Sequence, residues 1–142
     1  MKTPKIEFFY WAECPSHERA YAILQEVMAI EYIQAPVEII EIKDEIEAER
    51  YQFYGSPTIH VDGRDIAPVP EDIAQPALTC RAYRRIDGRI SPLPPRELIA
   101  QLFIVLLLRR KQNFCVDSKQ NDERNHPACQ ILSQAISSSI SQ

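Results

Sequence analysis

The sequence predicts an α/β domain: a central mixed sheet of four strands in the order β-α-β-α-β-β, flanked by helices, with one more helix at the C-terminal end. Three observations predict it. Runs rich in aromatic and β-branched residues recur at residues 6–11, 37–42 and 57–61, and such side chains suit a half-buried pleated surface. A helix-period apolar stripe separates the first two runs, and a carboxylate-capped segment separates the second from the third. Asp62-Gly63 then supplies a strong hairpin signal.

Taken in order, Ile6-Glu7-Phe8-Phe9-Tyr10-Trp11 is the first strand. After Cys14-Pro15, residues Ala20, Ile23, Leu24, Val27 and Met28 fall on one helical face, and this helix is expected to end near Glu31. Pro15 suits its first position, having no N–H to leave unpaired. Val37-Glu38-Ile39-Ile40-Glu41-Ile42 is the second strand. Asp44 is expected to cap a second helix running to about Phe53, with Glu45, Glu47 and Glu49 near its positive end and Gly55 where it stops. Pro57-Thr58-Ile59-His60-Val61 is the third strand, and Arg64-Asp65-Ile66 returns from the hairpin. Strands joined by a helix are expected to run parallel with a right-handed crossover, and the hairpin to add an antiparallel strand.

Residues 67–79 are rich in proline and predict a long loop, often a functional feature in a compact domain. Cys80 ends it, and a turn at Asp87-Gly88 follows. Pro94 and Pro95 open the last helix, with Glu97 in its first turn and Arg109-Arg110-Lys111 at its end. Its continuous apolar stretch predicts little exposed face. From Gln112 the composition turns to Ser, Gln, Asn and charge. The folded domain is therefore expected to span residues 1–111. Residues 112–142 are expected to form a polar, poorly ordered tail, with a short helix hinted at by Ile131, Leu132, Ala135 and Ile136.

The net charge of −4 gives no reason to expect nucleic acid as a partner. The apolar run Leu102–Leu108 is far short of the roughly 20 residues that span a bilayer, so no membrane partner is expected. Glu7 interrupts the first apolar run and no small-residue cleavage site follows, so a cytoplasmic location is the expectation. There the four cysteines, Cys14, Cys80, Cys115 and Cys129, should rest reduced, which favours reactivity or metal binding over a disulfide scaffold. Residues 1–50 carry eleven acidic and five basic side chains, and residues 81–111 eight basic and two acidic. Such runs ordinarily keep a surface solvated; the sharper alternative is a basic wall of Arg81, Arg84, Arg85 and Arg89 that attracts an anionic substrate.

The chemistry centres on Cys14. A thiol at a helix start faces unpaired N–H groups and the positive end of the helix dipole, both of which favour thiolate. His17, three residues on, is placed to add positive charge or relay a proton. Trp11 and Tyr10 flank the thiol as core residues or as the lining of a substrate groove. His60 sits within a strand as a structural residue, and Cys115, Cys129 and His126 match no compact zinc spacing, so no metal site and no cofactor are assigned.

The order strand, Cys14-Pro15-Ser16-His17 opening a helix, Gly55-Ser56-Pro57-Thr58 opening a strand, and Asp62-Gly63 turning a hairpin resembles the thioredoxin-like superfamily over residues 4–108. More narrowly, Tyr10-Trp-Ala-Glu-Cys-Pro-Ser-His17, Gly55-Ser-Pro-Thr-Ile59, Asp62-Gly-Arg-Asp65 and Thr79-Cys-Arg-Ala-Tyr83 resemble a bacterial thioredoxin-family group, some of whose members carry selenocysteine and some of which are labelled alkylmercury lyase. The resemblance implies a cis peptide before Pro57 facing Cys14. The Ser56 backbone would then lie beside the thiol, where its N–H and C=O could hold an extended thiol substrate as an added strand. Where a dithiol reductase has its second cysteine, this chain has His17. Resolution of a mixed disulfide then falls to Cys80, to an external thiol, or to nothing at all.

Two functions follow as expectations, and a buried, unreactive Cys14 would favour a third, a non-catalytic fold used as an interaction module. In the first, the protein is a thiol oxidoreductase or thiol-transfer protein: Cys14 attacks a disulfide or similar soft electrophile of a protein or small molecule, and Cys80 or a small thiol resolves the product. In the second, Cys14 with Cys80 or His17 holds mercury, copper or zinc without turnover. Cleavage of a carbon–mercury bond would also need an acid, for which Asp65 and Glu13 are the candidates.

Overall fold

The structure, a computed structural model, describes residues 3–67, 69, 72 and 75–117, without the side chains of 110 and 112–117. The tail residues 118–142, with His126, Cys129 and the expected short helix, lie outside the described residues, as does the side chain of Cys115. The chain divides into two compact units, Met1–Phe103 and Ile104–Gln142.

The first unit is α/β. Strand β1 (Ile6–Tyr10) leads to helix α1 (His17–Ile30), strand β2 (Val37–Glu41), helix α2 (Glu45–Arg50), and the hairpin of β3 (Thr58–Val61) and β4 (Arg64–Asp65). These strands form one mixed sheet in the order β2-β1-β3-β4. β1 is central and buried on both faces. Ile6 and Phe8 point to one face, where the Tyr21 ring of α1 meets Phe8 edge-on at 5.3 Å. Phe9 points to the other, against Ile42, Ala48 and Phe53, with Trp11, Ile40 and Leu78 packed beside them. The five residues of the α1 stripe, Ala20, Ile23, Leu24, Val27 and Met28, are its buried residues, as the 3.6-residue period requires.

β1 and β2 are parallel, but β3 runs antiparallel to β1, with Phe8 opposite Ile59 and Phe9 opposite Thr58. The expected second parallel crossover is absent for a reason of length. α2 has six residues and spans about 9 Å, whereas a five-residue strand spans about 17 Å. The chain therefore never returns to the starting end of β2, and it re-enters the sheet from the end where β2 stopped.

Helix ends show where local chemistry was read well and where it was not. Asp44 caps α2, accepting from the Glu47 N–H at 2.8 Å, while the Glu47 carboxylate accepts from the Lys43 N–H at 2.9 Å. α2 stops at Arg50, short of Phe53. Gln52, at φ 52°, closes it: the Phe53 N–H donates to Ala48 O and the Gln52 N–H to Glu49 O, a Schellman pattern. Tyr32, at φ 54°, closes α1 in the same way through Ile33 and Met28. Gly55 is thus free for another task. The hairpin forms as expected, with Asp62 and Gly63 both at positive φ, as a type I′ turn requires.

Of the loop expected over 67–79, residues 68, 70, 71, 73 and 74 lie outside the described residues. Farther on, β5 (Tyr83–Arg84) and β6 (Ile90–Ser91) pair as a small antiparallel hairpin around Asp87-Gly88, a second sheet that the sequence showed only as a turn. Helix α3 (Arg96–Asp117) starts directly after Pro95, and Arg96 ion-pairs with Glu26 of α1. It runs six residues past the expected end of the folded domain at residue 111. Ile99 and Phe103 are buried, but Ile104, Leu107 and Leu108 are exposed. Consecutive apolar residues point around the whole circumference of a helix, so one covered side leaves the others in water. None of the described helices is long and apolar enough to cross a membrane.

Candidate functional site

The C-terminal end of β1 and the N-terminal end of β3 meet at one edge of the first unit. There the Trp11 N–H donates to Ser56 Oγ at 3.0 Å, and the Cys14 N–H turns back to Trp11 O at 3.0 Å. α1 begins at His17 with Ser16 as its N-cap residue, so Pro15 precedes the helix instead of opening it, and Cys14 stands in the turn before it.

The Ser56–Pro57 peptide is cis. The Cys14 side chain is fully buried, and its thiol donates to Ser56 O at 3.4 Å. Cys80 lies on top of it, exposed, its thiol donating to Cys14 Sγ across 3.8 Å. Two cysteines separated by 66 positions in sequence thus stand sulfur to sulfur. That is about 1.8 Å farther apart than in a bonded disulfide. The bond to Cys14 raises the pKa of Cys80 above that of an ordinary thiol, with burial and the Cys14 charge adding to it.

The segment Thr79-Cys80-Arg81 reaches this position by pairing with Ser56. The Ser56 N–H donates to Thr79 O at 2.7 Å and the Arg81 N–H donates to Ser56 O at 2.9 Å, a parallel bridge of Ser56 with Cys80. Gly55 makes the approach possible. It sits at φ 128°, and a Cβ there would lie 3.0 Å from the backbone N and Cα of Arg81.

Arg81 then fastens the segment. It is buried, not part of an exposed basic wall. Its Nη1 donates to Thr58 Oγ1 at 2.9 Å and to Asp65 Oδ2 at 2.7 Å, and its Nη2 to Ala67 O at 3.1 Å. The guanidinium lies 4.9 Å from the centroid of the Tyr83 ring, and the Tyr83 hydroxyl donates to Pro57 O at 2.5 Å. Burial drives the Tyr83 pKa up and keeps that hydroxyl protonated. Arg84, Arg85 and Arg89 remain exposed on the β5–β6 hairpin.

Several expected roles change in this setting. His17 does not bond the Cys14 sulfur: its Nδ1–H donates to the Cys14 carbonyl at 2.6 Å, and its ring stacks on Tyr10 at 4.8 Å, which makes it a brace for the turn. Ser56 and Pro57 are buried and their backbone groups are bonded within the chain, so they do not offer a free edge to a substrate. The Trp11 ring packs on the Phe9 core, and the residue joins the site through its backbone. Both carboxylate oxygens of Asp65 accept within the chain, one from Arg81 and one from the Ala67 N–H at 3.0 Å, which places Asp65 in the clamp on Arg81. The buried clamping role of Arg81 and the close approach at Gly55 were not legible. Arg81 sits in a run of arginines that looks like a wet surface, and Gly55 looks like a helix stop. Among the described residues there is no group of three or more His, Cys, Asp or Glu able to hold a metal ion.

No family model, no curated protein and no solved structure matches this chain. The functional reading therefore rests on the geometry.

Proposed function

We propose that this chain is a thioredoxin-like redox protein whose working centre is the dithiol of Cys14 and Cys80, which closes reversibly to an intramolecular disulfide. One observation carries the reading: the two sulfurs stand 3.8 Å apart, already in a hydrogen bond, on a segment clamped by a buried arginine. A second cysteine is thus available for release of a mixed disulfide, although it comes from far along the chain and not from the first turn of α1. The order of elements, the cis Ser56–Pro57 peptide and its contact with Cys14 support the thioredoxin-like assignment.

The chemistry is a two-electron exchange. A thiolate of the pair attacks one sulfur of an external disulfide and expels the other as thiolate. The second protein sulfur then attacks the first, which completes the internal disulfide and releases the remaining external thiol. The test is oxidation of the reduced protein with one equivalent of a small disulfide, followed by peptide mapping. A Cys14–Cys80 crosslink is the expected product. A protein that keeps both thiols free, or bridges other cysteines, would remove the reading. Titration with copper(I) or mercury(II), followed by thiolate absorbance, examines the alternative of metal sequestration through the same pair.

A further inference from the structure

The reactive pair is asymmetric in a way that the order of the two cysteines in sequence does not suggest. Cys14, at the end of β1, is fully buried, and Cys80 is the exposed partner. The backbone edge that could seat an extended polypeptide against Cys14 is already filled. Both polar groups of Ser56 pair with Thr79 and Arg81, so the chain's own segment occupies the added-strand position with its own cysteine opposite Cys14. Displacing it would strand the Arg81 guanidinium and Asp65, break the bonds to Thr58 and Ala67, and undo the close packing at Gly55. What stays open is the Cys80 thiol alone, reachable by a molecule that needs no strand pairing.

We propose that this dithiol exchanges with low-molecular-weight disulfides and not with extended polypeptides, and that they enter at Cys80, with Cys14 as the buried resolving sulfur. The proposal rests on the reading of Cys14 and Cys80 as a redox pair, and it inverts the roles that the sequence suggested for them. The Cys80 thiolate attacks RS–SR, forming Cys80–S–SR and releasing RS⁻. Cys14, after giving up its proton to solvent, attacks Cys80 Sγ, forming the internal disulfide and releasing a second RS⁻. Two electrons pass from the dithiol to RSSR, and two molecules of RSH leave after protonation. In the reverse direction an external thiolate attacks the exposed Cys80 sulfur and Cys14 departs.

The test uses the full chain and three probes that all expel the same aromatic thiol: the small aryl disulfide, a small alkyl aryl disulfide, and the aryl mixed disulfide of an unstructured peptide. Wild-type protein is quenched with acid early in the reaction and mapped. The mixed disulfide is expected on Cys80, with Cys14 free. In a background carrying Cys115→Ser and Cys129→Ser, Cys14→Ser is expected to stop at that adduct, releasing one equivalent of thiol at no less than the rate of that background. In the same background Cys80→Ser is expected to react at least about tenfold more slowly, because only the buried thiol remains. The peptide probe should show no advantage over the small ones. An early adduct on Cys14, an undiminished rate in Cys80→Ser, or a peptide advantage of about tenfold or more would overturn the proposal while leaving the redox pair intact. Absence of the internal disulfide with every probe would instead overturn the redox pair itself.

Discussion

Oxidation of Cys14 and Cys80 should stabilise the fold, and the size of the gain follows from where the two residues lie in the chain. Their separation of 66 positions sets the loop that a disulfide would close in the unfolded ensemble. Loop-closure entropy for such a length is worth about 4 kcal/mol at 25 °C. The sulfurs must approach by about 1.8 Å to bond, a shift within reach of side-chain rotation on the exposed Cys80, so most of that gain should survive. With a denaturant slope ordinary for a domain of this size, the urea midpoint of the oxidised protein should rise by about 2 M over the reduced one. By linkage the same 4 kcal/mol makes the folded pair about 90 mV more reducing than the pair in the unfolded chain. The assay is a matched pair of urea titrations, with and without reductant, on protein whose crosslink has been mapped. An oxidised form no more stable than the reduced one would refute the reasoning, because it would mean that the fold does not hold the two cysteines ready to bond.

Three further outcomes follow. Gly55→Ala adds a Cβ at 3.0 Å from the Arg81 backbone and at a positive φ; it should destabilise the fold by about 2 kcal/mol or more and slow closure of the Cys14–Cys80 disulfide, read by urea titration and by thiol release. Because its bond to Cys14 raises the Cys80 pKa, alkylation of Cys80 should go on accelerating with pH beyond the ordinary thiol midpoint, and Cys14→Ala, which removes the acceptor, should bring the midpoint down; identical profiles would contradict the hydrogen bond. His60 is held below its usual pKa of 6.5, first by burial and then by Arg81, against the pull of Asp65 and Glu7. The folded state therefore resists a proton that the unfolded state accepts, so stability from this source is complete above pH 6.5 and declines as pH falls below it. His60→Gln should flatten that acid limb in pH-resolved unfolding, and an unchanged limb would assign the decline to other groups.

Much of the scaffold was written in local patterns. The α1 stripe, the Asp44 cap and the Asp62-Gly63 turn each depend on residues close in sequence, and each formed as its spacing requires. The direction of β3 did not show, because it depends on how far α2 carries the chain, and a six-residue helix is hard to tell from a longer one when acidic residues continue the pattern. The end of α2 misled for a related reason: Gln52 adopts the left-handed conformation that glycine usually supplies, whereas α1 stopped at Ile30, beside the expected Glu31. At the site, Cys14 and the turn at Ser56-Pro57 were visible as motifs. Cys80 was a candidate to resolve Cys14, but its distance was not visible, since that is set by the Ser56 bridge and by the burial of Arg81, contacts between segments far apart. A charged residue amid other arginines carries no local sign that it will be paired inside the protein.

The central claim is that Cys14 and Cys80 act as one two-electron couple. The most direct measurement is the fraction of oxidised protein at equilibrium in mixtures of a small thiol RSH and its disulfide RSSR, made at several total concentrations. A closing dithiol gives a fraction that depends on [RSH]²/[RSSR] alone, so the curves should superimpose, with only the Cys14–Cys80 crosslink found by mapping. Curves that instead follow [RSH]/[RSSR], with RS– adducts accumulating on one cysteine, would show two independent thiols and contradict the claim.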